Sequence, residues 1–327
     1  MPSTKRPSQN IAILRSAWAA GCTLVLLAIA LFGSSAASGQ NASVAITLDP
    51  HFHTVAPPNG SFPPDVHHIL VATIGMGIIA LIMVVISLIE GVRFRSTVPL
   101  GLVLAAAFCV VPESVDNYLG GCYWAQLHNH ILYVLMGREI DDYVIVMWWA
   151  FGAVLGYILY ASLLRRVKTG TLWIAFALSG LADVGIEETL LRYGGIYTYY
   201  GHQPLVLLGY FPWWWLPTNV AGLFLSVAIA YRCRAWFNGW KSVFLFILMP
   251  VCYIGGFEFA AMPAGFAILG NFPPIITQLC GLLTCLLALV ETGGIMALIL
   301  GRKPLVLHAT AQENAAAAPR GPQAQPI

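Results

Sequence analysis

Apolar stretches of membrane-span length recur along the chain, separated by short polar turns. A helix crossing a hydrocarbon core of roughly 30 Å needs about 20 mostly apolar residues. Stretches that meet or approach this length fall near 11–33, 68–90, 97–114, 144–164, 171–191, 206–231, 242–267 and 274–300. They predict an all-α fold, a polytopic transmembrane helix bundle of about eight spans. The third stretch is the shortest, and its far end carries charge. In the first, Lys5, Arg6 and Arg15 precede an apolar core that ends in the small residues Gly33-Ser34-Ser35-Ala36-Ala37-Ser38-Gly39, a pattern shared with cleaved secretory signals. Its apolar part is as long as a full span, so 1–33 reads as a retained N-terminal span of signal-anchor type.

Placement of lysine and arginine sets the expected orientation. With the N-terminus inside, fourteen cations fall on the cytoplasmic side, from Lys5 through Arg93, Arg165 and Arg232 to Arg302 and Arg320, and only Arg138 and Arg192 fall outside. The alternation survives every loop, so span count and orientation support each other. Both termini are expected in the cytoplasm, and the protein is expected to be multi-pass in the plasma membrane. Residues 34–67 are polar, proline-bearing and free of Lys and Arg, as in an extracytoplasmic linker. A transmembrane catalytic bundle is expected over 68–303, and the Ala-, Pro- and Gln-rich tail 304–327 is expected to be disordered. The mixed segment 118–143 reads as a partly helical loop on the outer surface.

Composition agrees. Hydrophobic residues make up 58% of the chain and charged residues 9%, against roughly a quarter charged in soluble domains. The net charge of +2 lacks the dense basic surface that nucleic acid requires. The seven cysteines form no CxxC pair and lie mostly in apolar runs, so neither a zinc site nor a disulfide framework is expected. His51, His53, His67, His68, His128 and His130 show no metal-ligand context. No nucleotide-binding, nucleophile-elbow or zinc-protease motif is evident, and no cofactor is expected. No internal repeat is evident either, which argues against an inverted-repeat transporter.

Ionisable residues within spans are costly and mark candidate sites. Glu90 and Glu291 fall near cytoplasmic ends, where water or arginines can reach them. Glu113 and Asp116 sit at the outer end of the third span, Asp183, Glu187 and Glu188 in the outer half of the fifth, and Glu258 in the seventh after Gly255-Gly256. At a rise of about 1.5 Å per residue all lie about 18–26 Å from the cytoplasmic ends, one layer in the outer half of the membrane. Asp183 and Glu187 share a helix face, and Glu188 and Arg192, four apart, are placed to pair. The structural alternative is a buried pairing network that only fixes helix packing. The functional reading is that clustered acids in a dry site divide into general acid and general base.

Between the fifth and sixth spans runs Tyr193-Gly194-Gly195-Ile196-Tyr197-Thr198-Tyr199-Tyr200-Gly201-His202-Gln203-Pro204-Leu205. Phe211-Pro212-Trp213-Trp214-Trp215-Leu216-Pro217-Thr218-Asn219 opens the sixth. An interfacial aromatic belt explains single aromatics here. It explains His202, Gln203 and Asn219 poorly.

The run Glu187-Glu188 … Tyr197-Thr198-Tyr199-Tyr200-Gly201-His202-Gln203-Pro204-Leu205 … Gly209-Tyr210-Phe211-Pro212-Trp213-Trp214-Trp215 … Asn219 resembles the signature of the AveC-like family, named for the avermectin spirocyclase. The match covers about 35 residues, 187–221, and Pro112-Glu113-x-x-Asp116 matches more weakly. One extra residue in the Gly-x-x-Pro spacing and the long N-terminal extension depart from the family pattern. The resemblance implies spiroketal formation in polyketide assembly, with dehydration in some members. Spiroketal closure adds two hydroxyls to one ketone and expels water, so it needs an acid and a base but no cofactor. On that chemistry Asp116 and Glu187 are the expected acid/base pair, with Glu113 or Glu258 as substitutes. Arg192 would orient Glu188 or hold an anionic intermediate. Tyr200, Gln203 and Asn219, with Asp183, Tyr197 and His202, would position substrate oxygens, and Trp214 would wall the pocket. The expected partners are a lipophilic small molecule and the lipid bilayer. A carotenoid hydratase or membrane terpene cyclase, and a proton-coupled transporter, are the alternative readings.

Overall fold

A computed structural model of the chain describes residues 45–49, 52–55, 65–128, 130–135 and 138–308. The expected first span, 11–33, lies outside the described residues, as do the tail beyond His308 and most of the linker. The described part is mostly helical. Five helical segments are long and apolar enough to cross a membrane, and a sixth is added if one bent pair forms a single span.

After the hairpin β1 (Ala45–Asp49) and β2 (Phe52–Val55) comes α1 (Val66–Phe94). Asp65 caps α1 by accepting the His68 amide at 3.0 Å, and Arg95 ends it in the left-handed region. Most of its apolar side chains are exposed, so α1 lies at the edge of the bundle.

The third expected span is broken. Helix α2 (Val98–Ala105) tightens into a 3-10 turn (Ala106–Val110) and bends by 55° before α3 (Glu113–Gly120). Pro112 causes the break, because it has no N–H to continue the ladder. The Tyr133 hydroxyl bridges the bend, donating to the Val110 carbonyl at 2.5 Å and the Val111 carbonyl at 3.2 Å. This bend turns the acidic first turn of α3 inward.

Segment 118–143 is not a partly helical loop. After α3 it forms three short strands: β3 (Cys122–Trp124), β4 (Ile131–Leu135) and β5 (Arg138–Asp141). Strand β4 pairs antiparallel with β5, while β3 pairs antiparallel with β6 (Tyr197–Tyr199). The fold is therefore mostly helical, as expected, with small two-stranded β-ribbons added to the bundle.

Helix α4 (Tyr143–Leu164) is the most buried of the candidate spans. Then come α5 (Thr169–Thr189) with a π-helical end (Leu190–Gly194), α6 (Trp215–Arg232), α7 (Leu245–Leu269) and α8 (Pro274–Gly294) with its own π turn (Ile295–Ile299). Helix α6 is not among the five apolar spans. It starts only at Trp215, and its first turns carry Thr218 and Asn219, both buried in the bundle. Helices α6 and α7 meet closely at Gly222 and Gly256: a Cβ on Gly222 would lie 2.6 Å from the Tyr253 carbonyl oxygen, and one on Gly256 3.0 Å from Gly222 Cα.

At the opposite end from β3–β6, Arg165 donates to Glu90 at 2.9 Å, with Arg93 3.8 Å away. Glu90 thus meets arginines, as its position suggested. Glu291 does not. It forms no ion pair among the described residues, and its carboxylate packs against Gly256 in the α6–α7 seam. The chain after α8 folds back on the turn between α4 and α5. Arg302 donates to the Val167 carbonyl at 2.7 Å, Trp173 to Pro304 at 2.8 Å, and the Gly170 amide to Leu307 at 2.8 Å.

Candidate active site

The ribbon β3–β6 positions the site. Its register sets Cys122 opposite Tyr199, Tyr123 opposite Thr198 and Trp124 opposite Tyr197. Strand alternation sends Cys122, Trp124, Tyr197 and Tyr199 to one face and Tyr123 to the other. Hydrogen bonds from the Ala125 amide to Ile196 O (2.8 Å) and the Tyr200 amide to Gly121 O (2.7 Å) extend the pairing at both ends. Gly121 is required there: its φ is +63°, and a Cβ would lie 2.6 Å from the Tyr200 carbonyl oxygen.

The first face closes a cavity lined by Glu113 and Glu187, by Cys122, Trp124, Tyr197 and Tyr199 of the ribbon, and by Trp148, Trp215, Asn219 and Tyr253 from the bundle. Met76, Met147, Phe151, Ile186 and Leu190 complete an apolar rim. The cavity volume is about 60 Å³, room for a few waters at about 10–15 Å³ each.

The two carboxylates are held by different chemistry. Both oxygens of Glu113 accept indole N–H groups, Oε1 from Trp124 and Oε2 from Trp148, the latter at 2.6 Å. Oε2 of Glu187 accepts phenol hydroxyls, from Tyr197 at 2.5 Å and from Tyr199 at 3.4 Å. Burial, reinforced by the Glu187 charge, holds both phenols well above the ordinary tyrosine range. They therefore stay protonated donors throughout the working pH range. Neither carboxylate has a cationic partner among the described residues.

Behind the wall runs a buried relay. The Asn219 Nδ2 donates to Asp183 at 3.1 Å, and the Tyr253 hydroxyl donates to Asn219 Oδ1 at 2.8 Å. Asp183 thereby fixes the Asn219 amide, and Asn219 fixes Tyr253. The Tyr253 ring also packs edge-on against Trp148, the donor to Glu113, with centroids 4.8 Å apart.

Several expected site residues stand elsewhere. Asp116 is fully buried beside Glu113 but lines no part of the cavity; the group its carboxyl meets is the Glu258 carboxyl. Glu258 also lies off the cavity, next to Asp116. The pair facing the cavity is Glu113 and Glu187, not Asp116 and Glu187. Glu188 and Arg192 form no ion pair: Glu188 accepts the Phe211 amide at 3.1 Å, and Arg192 lies exposed, its guanidinium 5.4 Å from the Tyr193 ring centre. The π-helical widening at Leu190–Gly194 breaks the i, i+4 geometry on which the pairing depended.

Gln203 is a clasp rather than a substrate ligand. Its Nε2 donates to the carbonyls of Gly120 (2.7 Å) and Tyr200 (2.9 Å), and its Oε1 accepts the Trp214 indole at 3.2 Å. His202 donates from Nδ1 to the Gly270 carbonyl at 2.9 Å. Tyr200 turns to the ribbon's other face, where it accepts a hydrogen bond from the buried Arg138. Arg138 also covers the Tyr123 ring, 5.5 Å from its centre. Trp214 is buried behind the wall, and its neighbour Trp215 takes the wall position. The Trp215 N–H is buried without an acceptor.

Trp124, Trp148, Trp215, Tyr199, Tyr253 and Cys122 were not singled out individually for the site from sequence. Trp148 carried a usable signal, since an indole N–H well inside a span needs an acceptor. Among the described residues no group of three or more His, Cys, Asp or Glu could hold a metal ion. No protein-family model, curated protein or solved structure matches the chain.

Proposed function

We propose that this protein is a membrane-embedded acid/base enzyme that cyclises or dehydrates a lipophilic, polyketide-like substrate without a cofactor, as its resemblance to spirocyclases implies. The observation that carries the reading is the pair Glu113 and Glu187 on one aromatic-walled cavity, one held by N–H donors and the other by O–H donors. An indole keeps its proton, so Glu113 is oriented but not supplied. A phenol hydroxyl can pass a proton on, so Glu187 with Tyr197 forms the proton-delivering side. In ketal closure, Glu113 takes the proton of the first hydroxyl as its C–O bond forms, while the Glu187 side protonates the carbonyl oxygen to give the hemiketal. The proton then returns from Glu113 to Glu187. The Glu187 side next protonates the hemiketal hydroxyl, which leaves as water, and Glu113 takes the proton of the second hydroxyl as it adds to the same carbon. A second return from Glu113 to Glu187 closes the cycle, with two protons taken and two delivered.

Asn219, Tyr253 and the free Trp215 N–H are the substrate-positioning groups in this reading. The cavity holds only a few waters, so a polyketide-sized substrate must displace the β3–β6 wall or the π-helical turn beside it. The topology completing the proposal has eight spans, both termini in the cytoplasm and the cavity toward the outer face of the plasma membrane.

The test is turnover of a dihydroxy ketone by protein reconstituted in liposomes, with product analysis. Formation of a spiroketal or its dehydrated product, lost in Glu187→Gln and Glu113→Gln, is expected. Full activity in both variants would sink the assignment. Turnover of an isoprenoid instead would select the hydratase or terpene-cyclase reading. A proton-coupled carrier is the second reading, and the water-sized cavity with acids and no cations favours it. Proton flux without chemistry would select it.

A further inference from the structure

The β4–β5 hairpin presents an anomaly. Ile131, Leu132, Val134 and Leu135 are 41–61% exposed, so four of the five residues of β4 show large apolar side chains at the surface. A water-facing hairpin of this kind would be an aggregation site. The hairpin is nonetheless firmly tied on its inner side. Tyr133 bonds the carbonyls freed at the α2–α3 bend, Ile140 is fully buried, and Arg138 reaches Tyr200. Exposure of the other side is therefore built in rather than a result of looseness.

Two features say what covers it. The apolar surface is continuous with the bundle's own apolar flank at the bend, where Phe108 is 45% and Val111 57% exposed. The hairpin is also graded along its length. Its open end carries His130 and Asp142, with side chains 72% and 58% exposed. Toward the turn Val134 and Leu135 are the exposed side chains, while the residues opposite them, Glu139 and Arg138, are drawn inward, Glu139 onto His128 at 3.0 Å and Arg138 onto Tyr200. A two-stranded hairpin leaves backbone groups unpaired on its outer edges, so it cannot sit in the hydrocarbon core. It fits the boundary between headgroups and acyl chains, as interfacial amphipathic elements do.

We propose that the β4–β5 hairpin is an interfacial anchor whose outer face, Leu132 and Val134 above all, is immersed in the phospholipid leaflet beside the α2–α3 bend, with its open end in the headgroup layer. Through Arg138 and Tyr200 the anchor is coupled to the ribbon that walls the cavity, so leaflet packing bears on the wall. The lipid contact itself does not depend on the acid/base reading and stands or falls separately.

The test places a nitroxide at single cysteines, Leu132→Cys, Val134→Cys and His130→Cys. The background has Cys22, Cys233, Cys280 and Cys285 replaced by serine. The full chain is reconstituted in phosphatidylcholine–phosphatidylglycerol vesicles. Collision of each label with oxygen, which concentrates in lipid, is compared with collision with a water-soluble nickel chelate. Oxygen should dominate at 132 and 134 and nickel at 130. The oxygen-to-nickel ratio at 134 should fall toward that at 130 when vesicles are replaced by an amphipathic polymer. Nickel dominance at both 132 and 134 in vesicles would overturn the proposal. So would low collision with both probes, or spin–spin broadening from a second copy. The two labels report the same face independently, so failure of one variant to fold leaves the other decisive.

Discussion

Two sets of buried acids satisfy their charge in opposite ways. At one end of the bundle Glu90 is met by Arg165 at 2.9 Å and by Arg93 at 3.8 Å. At the other, Glu113 and Glu187 are met only by neutral indoles and phenols. The first arrangement cancels charge and ties α1 to the end of α4. The second orients the carboxyl groups without a neighbouring cation, so each can still take up or give up a proton. Ion pairing identifies Glu90 as a structural acid; neutral donors together with a place on the cavity lining identify Glu113 and Glu187, the acids on which the functional proposal rests.

The comparison breaks first on activity. Glu187→Gln or Glu113→Gln should cut turnover roughly 10²–10⁴-fold, the usual range for a lost acid or base. The protein should still insert, as judged by monodisperse elution in detergent. Glu90→Leu should do the reverse. Removing one partner of a buried pair strands Arg165 and should cost about 3–5 kcal/mol, seen as early thermal unfolding in detergent with activity per folded molecule unchanged. Equal loss of activity in Glu90→Leu would erase the distinction. Gly256→Ala should be next in size. Its Cβ would meet Glu291 Oε1 at 2.6 Å and Gly222 Cα at 3.0 Å, forcing the α6–α7 seam apart at about 1–3 kcal/mol. The smallest effect should come from Tyr199→Phe, which loses only the 3.4 Å contact to Glu187 and should lower turnover by less than about threefold, under 1 kcal/mol. Tyr197→Phe removes the 2.5 Å bond and should cost clearly more in the same assay.

Much of this contrast was legible in the sequence. Hydropathy located the long apolar helices, and counting rise along them put Glu113, Glu187 and Glu258 at one level. Depth along a helix is a local quantity; in the structure Glu113 and Glu187 share one cavity and Glu258 lies beside Asp116. What failed was non-local. Three-residue strands such as Cys122–Trp124 and Tyr197–Tyr199 carry no periodicity to detect, and their pairing joins segments about 75 residues apart in the chain. That pairing decides which aromatics face the acids. It selects Tyr197 and Tyr199 and turns Tyr200 away. The Glu188–Arg192 expectation assumed ideal α geometry across a π-helical widening. The break at Pro112 was visible as a short third span, but not as the bend that brings Glu113 rather than Asp116 to the cavity.

The return of residues 302–307 onto the α4–α5 turn has a practical consequence. Arg302, Pro304 and Leu307 are each hydrogen-bonded to that turn or to the start of α5. A reporter enzyme joined directly after His308 therefore emerges beside Arg165, Arg166 and Lys168. One compartment-sensitive reporter at that point will report the side of both segments at once, and with it the in–out orientation of the helices between them.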